Sequence, residues 1–232
     1  MEQEALERTA AEIGAHPVRT DVTDPGSVEA LAEAAEERFG PVTIVVNNAG
    51  VGPMARVRDL TLDDWRWMID VNLYGVIHGV STFLPRLLAG DRPGHIVNTS
   101  SMASFLLLPG QAAYAVTKWG VAALTETLAM ELAEDGADVH VTLLAPGTVH
   151  TNIKESLRNR PRAAGAAGLH DVDITTGEAG ALRWIQPIDA GRITTRAIRN
   201  DDLYALTHPE WWTLVEQRHD SLRKAFAQYP VD

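Results

Sequence analysis

Short apolar stretches alternate with longer stretches of helical periodicity along this chain, and this alternation most restricts how it can fold. Three stretches are too short and too apolar for amphipathic helices, and we predict that they are strands: Pro41–Val46, His95–Thr99 and Val139–Leu144. Strands that alternate with helices form a parallel sheet with helices on its faces. The sequence therefore predicts an α/β fold, with a doubly wound parallel sheet in three layers.

Capping residues mark where the predicted helices begin and end. Asp24 predicts an N-cap before Pro25 at the first helical position, and Gly40 predicts the end of that helix. Apolar residues at helical spacing predict long helices over Thr61–Gly90 and Gln111–Glu134. Further patterns predict strands at Val18–Val22 and Leu203–Leu206, and helices at Glu4–Ile13, Asp189–Arg199 and from Glu210 onwards.

The length, composition and net charge of the chain limit the classes of function that it can have. A chain of 232 residues with 45% hydrophobic content can bury one sizeable core, so we expect a single domain over residues 1–232. A net charge of -11 argues against nucleic acid and anionic membrane surfaces as partners. There is no Cys, and the eight His lack metal-ligand spacing, so we predict no metal site. No run reaches roughly 18 apolar residues, and we expect a cytoplasmic protein.

Tyr114 and Lys118 form the most informative pair of side chains. They stand four residues apart in a predicted helix and therefore share one face. With four Tyr and three Lys in the chain, such a pair is expected by chance only about 0.05 times. An ammonium about 4 Å from a phenol can lower the phenol pKa from about 10 to roughly 7. We predict that the pair is a site in which Lys118 lowers the pKa of Tyr114.

Two other motifs accompany this pair. The Pro41–Val46 strand runs into Asn47-Asn48-Ala49-Gly50, and the His95–Thr99 strand runs into Ser100-Ser101. Together the three motifs resemble the short-chain dehydrogenase/reductase family. The resemblance implies a Rossmann-like fold, NAD or NADP as cofactor, and interconversion of a secondary alcohol and a ketone. It also implies four catalytic residues, with Tyr114 as the acid–base group: Asn72, Ser101, Tyr114 and Lys118.

The resemblance assigns a role to each catalytic residue. The Ser101 hydroxyl would hold and polarise the substrate oxygen, and Lys118 would also bind the nicotinamide ribose. The backbone carbonyl of Asn72 would hold a water that links Lys118 to bulk solvent. In the family the loop that matches Phe105–Leu108 borders the substrate, so an apolar alcohol or ketone is implied. A homodimer or homotetramer is implied as well.

The resemblance also identifies residues that would bind the cofactor. The adenosine half would contact Asn47, Ala49 and Gly50, and its adenine ring would contact Asp21 and Val22. The nicotinamide carboxamide would contact Pro146, Gly147, Val149 and Thr151. Tyr114 and Lys118 would lie beside the ribose. Alone, Asn47–Gly50 is more typical of a simple strand-to-loop turn. Asn72 and Asp21 alone are equally compatible with local caps. Their joint order and spacing favour the catalytic interpretation.

The printed sequence departs from the family at its beginning. It contains no Thr-Gly-x-x-x-Gly-x-Gly turn, which in the family binds the pyrophosphate, and it lacks the first two strands. Their loss would open a gap of roughly 10 Å between the Val18–Val22 strand and the Pro41–Val46 strand. Either the Val18–Val22 strand docks against Pro41–Val46, a partner fills the gap, or the printed sequence begins inside a longer reading frame. We expect the last. The alternative function is a non-catalytic, dimerising remnant of the family.

Overall fold

The predicted parallel sheet is present. A computed structural model of the chain describes residues 3–161, 168–175 and 180–229. Within these residues one sheet contains four parallel strands in the order β1-β2-β3-β4. The strands are β1 Ile44–Asn47, β2 Gly94–Thr99, β3 Val139–Ala145 and β4 Tyr204–Leu206. Each begins and ends within about three residues of its predicted position.

The helices follow the predicted capping signals. They are α1 Gln3–Ile13, α2 Pro25–Phe39, α3 Leu62–Ile69, α4 Gly75–Ala89, α5 Ala112–Asp135, α6 Pro187–Asn200 and α7 Trp212–Gln228. Asp24 caps α2 by accepting a hydrogen bond from the Gly26 amide at 3.0 Å. The predicted Thr61–Gly90 helix is interrupted by a π-helical turn, Asp70–Tyr74, between α3 and α4. A 3-10 helix, Asn152–Asn159, follows β3.

Helices cover both faces of the sheet. Because successive residues of a strand point to opposite faces, Ile96 and Val97 in β2 enter different clusters. Ile96 packs with side chains of α2, α4 and α5, whereas Val97 packs with Ala197 and Ile193 of α6. The three-layer prediction is confirmed. In the described ranges no helix has both the length and the apolar character needed to cross a bilayer.

The prediction of a strand at Val18–Val22 is wrong. These residues have irregular structure, and β1 pairs only with β2. A strand needs a neighbouring backbone at about 4.8 Å, but Val22 is held by α4 instead. Its carbonyl oxygen lies 2.8 Å from His78 Nδ1, and its side chain lies against Gly75. A groove of about 410 Å³ separates this segment from β1. Docking of Val18–Val22 against β1, one of the three explanations considered above, is therefore excluded.

Candidate active site

The candidate site lies where the carboxyl ends of β1, β2 and β3 meet. Gly50 follows β1, Ser101 follows β2, and Pro146 follows β3. In an open parallel sheet this edge forms the crevice in which ligands bind. The sequence motifs that follow three separate strands are thus gathered at one edge.

Helix α5 brings Tyr114 and Lys118 to this edge. The Ser101 hydroxyl lies beside the Tyr114 phenol, close enough to lower its pKa. Lys118 is only 3% exposed, and its ammonium donates a hydrogen bond to the Thr99 carbonyl at 2.9 Å. Lys118 Nζ lies 5.7 Å from the centroid of the Tyr114 ring. The structure therefore brings the hydroxyl, the phenol and the amine together.

The electrostatics of Tyr114 differ from the prediction. Burial raises the pKa of Tyr114, and the Ser101 hydroxyl only partly opposes this effect. Burial also lowers the pKa of Lys118, to about 8. The prediction assumed an ammonium about 4 Å from the phenol, but the Lys118 ammonium is directed at the Thr99 carbonyl. The predicted lowering of the Tyr114 pKa by Lys118 is therefore wrong for this structure.

Asn72 lies in the π-helical turn, fully buried, and its side chain is occupied. Its Oδ1 accepts from the Val51 amide at 2.8 Å, and its Nδ2 donates to the Val51 carbonyl at 2.9 Å. Nδ2 also lies 3.3 Å from the Thr117 hydroxyl. A Cβ on Gly50 would stand 3.3 Å from Asn72 Oδ1 and 3.6 Å from Lys118 Nζ. Asn72 thus fixes the segment that passes over Lys118, and a role for its backbone carbonyl stays a prediction.

We expect Asn72→Ala to lower the free energy of unfolding by about 2 to 4 kcal/mol, because both buried backbone groups of Val51 would lose their partner. Urea unfolding followed by circular dichroism measures this loss. Asn200→Ala is the matched control, since the exposed Asn200 side chain bonds only Asp202 in the described structure. Equal stabilities of the two variants would contradict the prediction.

The side chain of Asn47 does not reach the crevice. Its Nδ2 donates to Asn98 Oδ1 at 2.8 Å, and Asn98 Nδ2 donates to Thr125 Oγ1 at 3.0 Å. A Cβ on Gly79 would stand 1.9 Å from Asn47 Oδ1, so Asn47 fills the space that this glycine leaves in α4. Asn47 therefore links β1, β2 and α5 in a polar chain. It also lines the groove beside β1, and its contact with a cofactor stays a prediction.

The residues expected around the adenine ring stand beside the groove next to β1. Val22 and Ala49 line this groove together. Asp21 is exposed, and its carboxylate accepts hydrogen bonds from the Thr23 amide at 3.0 Å and the Thr23 hydroxyl at 2.8 Å. Val22 and Ala49 thus lie together in this groove, whereas the Asp21 carboxylate stabilises its own turn.

The segment expected to contact a carboxamide is braced from a distant part of the chain. The Gly147 amide donates to Thr207 Oγ1 at 2.9 Å, and a Cβ on Gly147 would stand 2.5 Å from His208 Nδ1. Val149 forms a bridge with Ile185, and the Thr151 hydroxyl accepts from the Ile153 amide at 3.5 Å. The sequence did not reveal Thr207 and the buried His208 as supports, because 60 residues separate Thr207 from Gly147.

This arrangement defines a class of protein, a Rossmann-like α/β fold with serine, tyrosine and lysine at the carboxyl edge of its sheet. The sequence profile of the family described as short chain dehydrogenase matches residues 1–162. The chain therefore belongs to the short chain dehydrogenase family.

Individual relatives agree with this assignment. The chain is 37% identical over 158 residues to an uncharacterized oxidoreductase of Staphylococcus saprophyticus, covering 67% of this chain and 64% of the relative. It is 31% identical over 237 residues to the C alpha-dehydrogenase of a Sphingobium species, covering 99% and 77%. A solved short-chain dehydrogenase/reductase from Burkholderia phymatum in complex with NAD is 34% identical, with a TM-score of 0.86 and coverage of 100% and 85%. The first of these alignments spans less than two thirds of the relative's length.

Proposed function

We propose that this chain is an NAD(P)-dependent oxidoreductase that interconverts a secondary alcohol and a ketone. One observation carries the proposal. The Tyr114 phenol, the Ser101 hydroxyl and the buried Lys118 ammonium lie together at the carboxyl edge of the sheet. A phenol with a second hydroxyl beside it is suited to proton exchange with a carbonyl or alcohol oxygen.

Each residue has a role in this reaction. In ketone reduction, Tyr114 Oη gives its proton to the carbonyl oxygen, and Ser101 donates a hydrogen bond to the same oxygen. In alcohol oxidation the phenol oxygen takes the proton back. Because burial raises the pKa of Tyr114, the phenol is protonated at neutral pH and ready to act as an acid.

The residues on the nicotinamide side fit the cofactor. The Lys118 ammonium has three N–H donors, and the Thr99 carbonyl takes one of them, so donors remain for a ribose. Gly50 leaves room above Lys118 that a side chain would fill. When bound, NAD(P)H supplies the hydride that reduces the carbonyl carbon. The solved relative from Burkholderia phymatum, which holds NAD, supports this assignment. The residues do not discriminate between NAD and NADP.

Other parts of the proposal follow from the same assignment. We infer one domain over residues 1–232, an apolar substrate beside Phe105–Leu108, and a cytoplasmic homodimer or homotetramer. Leu107 and Leu108 are 58% and 62% exposed, which leaves apolar surface for a substrate.

A non-catalytic remnant is the second candidate. The groove of about 410 Å³ beside β1 favours it, because no described residue fills the space along this side of the sheet. Such a protein would use its helices to dimerise and would bind no dinucleotide.

Titration with NADH separates the two candidates. We expect a saturable change in cofactor fluorescence when the chain is added to NADH, because Lys118 and the glycine-lined edge are present. Tyr114→Phe should give the same titration curve, since the phenol hydroxyl is reserved for the substrate. The absence of saturation with a chain whose circular dichroism shows a folded protein would favour the remnant.

A further inference from the structure

Asp64 is a fully buried carboxylate near the start of α3, and more groups bind it than a helix cap requires. Its Oδ2 accepts from the Thr61 amide at 2.9 Å in a capping box. The same oxygen accepts from the Gly168 amide at 3.0 Å, and Oδ1 accepts from the Arg160 guanidinium. Burial would raise the pKa of Asp64, but the hydrogen bonds from Thr61, Gly168 and Arg160 hold it below its usual value.

The two distant donors belong to segments that border the candidate site. We call residues 152–160 and 168–171 the flap. The Ser156 hydroxyl of the flap accepts from the Gly52 amide at 2.9 Å. A Cβ on Gly52 would stand 3.1 Å from Ile153 and 3.7 Å from Cε2 of Tyr114. The flap therefore rests on Gly52, next to the phenol.

The other part of the flap is tied to the same region. Met54 and His170 exchange two backbone hydrogen bonds of 2.9 Å each. Leu169 is buried in a cluster with Trp67 and Met68 of α3. Both parts of the flap are therefore fixed to the segment that follows Gly50, and Asp64 is the side chain that they share.

The charge of Asp64 is not needed to cap the helix. A neutral Gln can occupy the same third position of a capping box, and a buried ion pair is weak evidence for stability because desolvation opposes it. Arg160 is only 7% exposed in its side chain and lies over the Trp67 ring at 6.0 Å. A buried carboxylate that receives donors from two parts of a distant segment fixes the position of that segment.

We propose that Asp64 is a positioning residue that holds the flap against the substrate side of the active site. The inference rests on the proposed function, because it assigns the flap to substrate binding. Asp64 acts through Arg160 and Gly168 and contacts neither substrate nor cofactor. Its loss is expected to weaken substrate binding and to leave cofactor binding unchanged.

Hydrogen exchange measured by mass spectrometry tests the anchoring itself. Asp64→Asn keeps the size of the side chain but removes the charge that faces Arg160. Flap amides in this variant should exchange at least about tenfold faster than in the wild type. Asp63→Asn is the matched control, because the Asp63 carboxylate is 50% exposed and pairs with the exposed Arg66. Unchanged exchange of the flap in Asp64→Asn would overturn the proposal, whether or not the chain is catalytic.

Kinetics with acetophenone and NADH test the consequence for substrate. The KM for acetophenone should rise about tenfold in Asp64→Asn, with kcat within about threefold of the wild type. Arg160→Gln should also raise the KM, and the double variant should lose less than the sum of the two single variants, because both changes break the contact between Asp64 and Arg160. Equal KM in the wild type and Asp64→Asn, or additive losses, would overturn the proposal. A wild-type chain that does not turn over acetophenone counts against the proposed function alone, and hydrogen exchange then decides the role of Asp64.

Discussion

Tyr114→Phe should lower kcat for ketone reduction by about a thousandfold, while the fold and the affinity for NADH stay unchanged. Removal of a positioned acid–base group typically costs about 10² to 10⁴ in rate. The phenol ring would remain in place, because only the hydroxyl beside Ser101 is lost. Steady-state oxidation of NADH in the presence of a ketone measures the effect.

Tyr74→Phe is the matched control for this loss. Tyr74 is 48% exposed and stacks on His78 with ring centroids 5.9 Å apart, away from Ser101. Tyr74→Phe also removes a phenol hydroxyl, but from the protein surface, and this variant should retain the wild-type kcat. Activity of Tyr114→Phe within about tenfold of the wild type would rule out the role assigned to Tyr114.

Lys118→Met should abolish turnover and yet stabilise the protein by about 2 kcal/mol at pH 7. Burial lowers the pKa of Lys118 from 10.5 to about 8. The buried ammonium therefore lowers the free energy of unfolding at pH 7 by about 3 kcal/mol. Met fills a similar volume without a charge. Loss of the hydrogen bond to the Thr99 carbonyl reduces the stabilisation of the variant by about 1 kcal/mol.

The stability difference should depend on pH with a definite sign. Between pH about 8 and 10.5 the unfolded chain binds more protons at this lysine than the folded chain does, so wild-type stability rises with pH there. The advantage of Lys118→Met is therefore full below pH 8 and shrinks above it. Thermal unfolding at pH 7 and pH 9.5 measures both values. Lys224→Met changes an exposed lysine of α7 and should show neither effect. A Lys118→Met variant less stable than the wild type at pH 7 would disprove this account.

Local patterns were sufficient for most of the fold. Asp24-Pro25 and Gly40 set the ends of α2, and short apolar runs located β1, β2 and β3. The Val18–Val22 prediction failed because a strand also depends on a partner, and a sequence pattern does not say whether that partner is present.

The candidate site was predictable only in part. Spacing along one helix predicted that Tyr114 and Lys118 share one face. It did not predict the direction of the Lys118 ammonium, which is set by the Thr99 carbonyl. Asp64 and Arg160 stand 96 residues apart, and no local signal connects them. No local feature of the sequence indicates that the side-chain amide of Asn47 donates a hydrogen bond to Asn98 of the next strand.

The switch of faces after β3 has a topological consequence. Strands β1 to β4 follow one another across the sheet in a single direction, with α4 and α5 on one face and α6 on the other. The crossover through α6 therefore has the opposite hand to the crossover through α5, so one of the two is left-handed, although about 98% of such crossovers are right-handed. This connection leaves the carboxyl end of β3 at Ala145 and enters α6 at Pro187. The flap belongs to it, so the segment that lies beside Tyr114 is part of the connection that changes the face of the sheet.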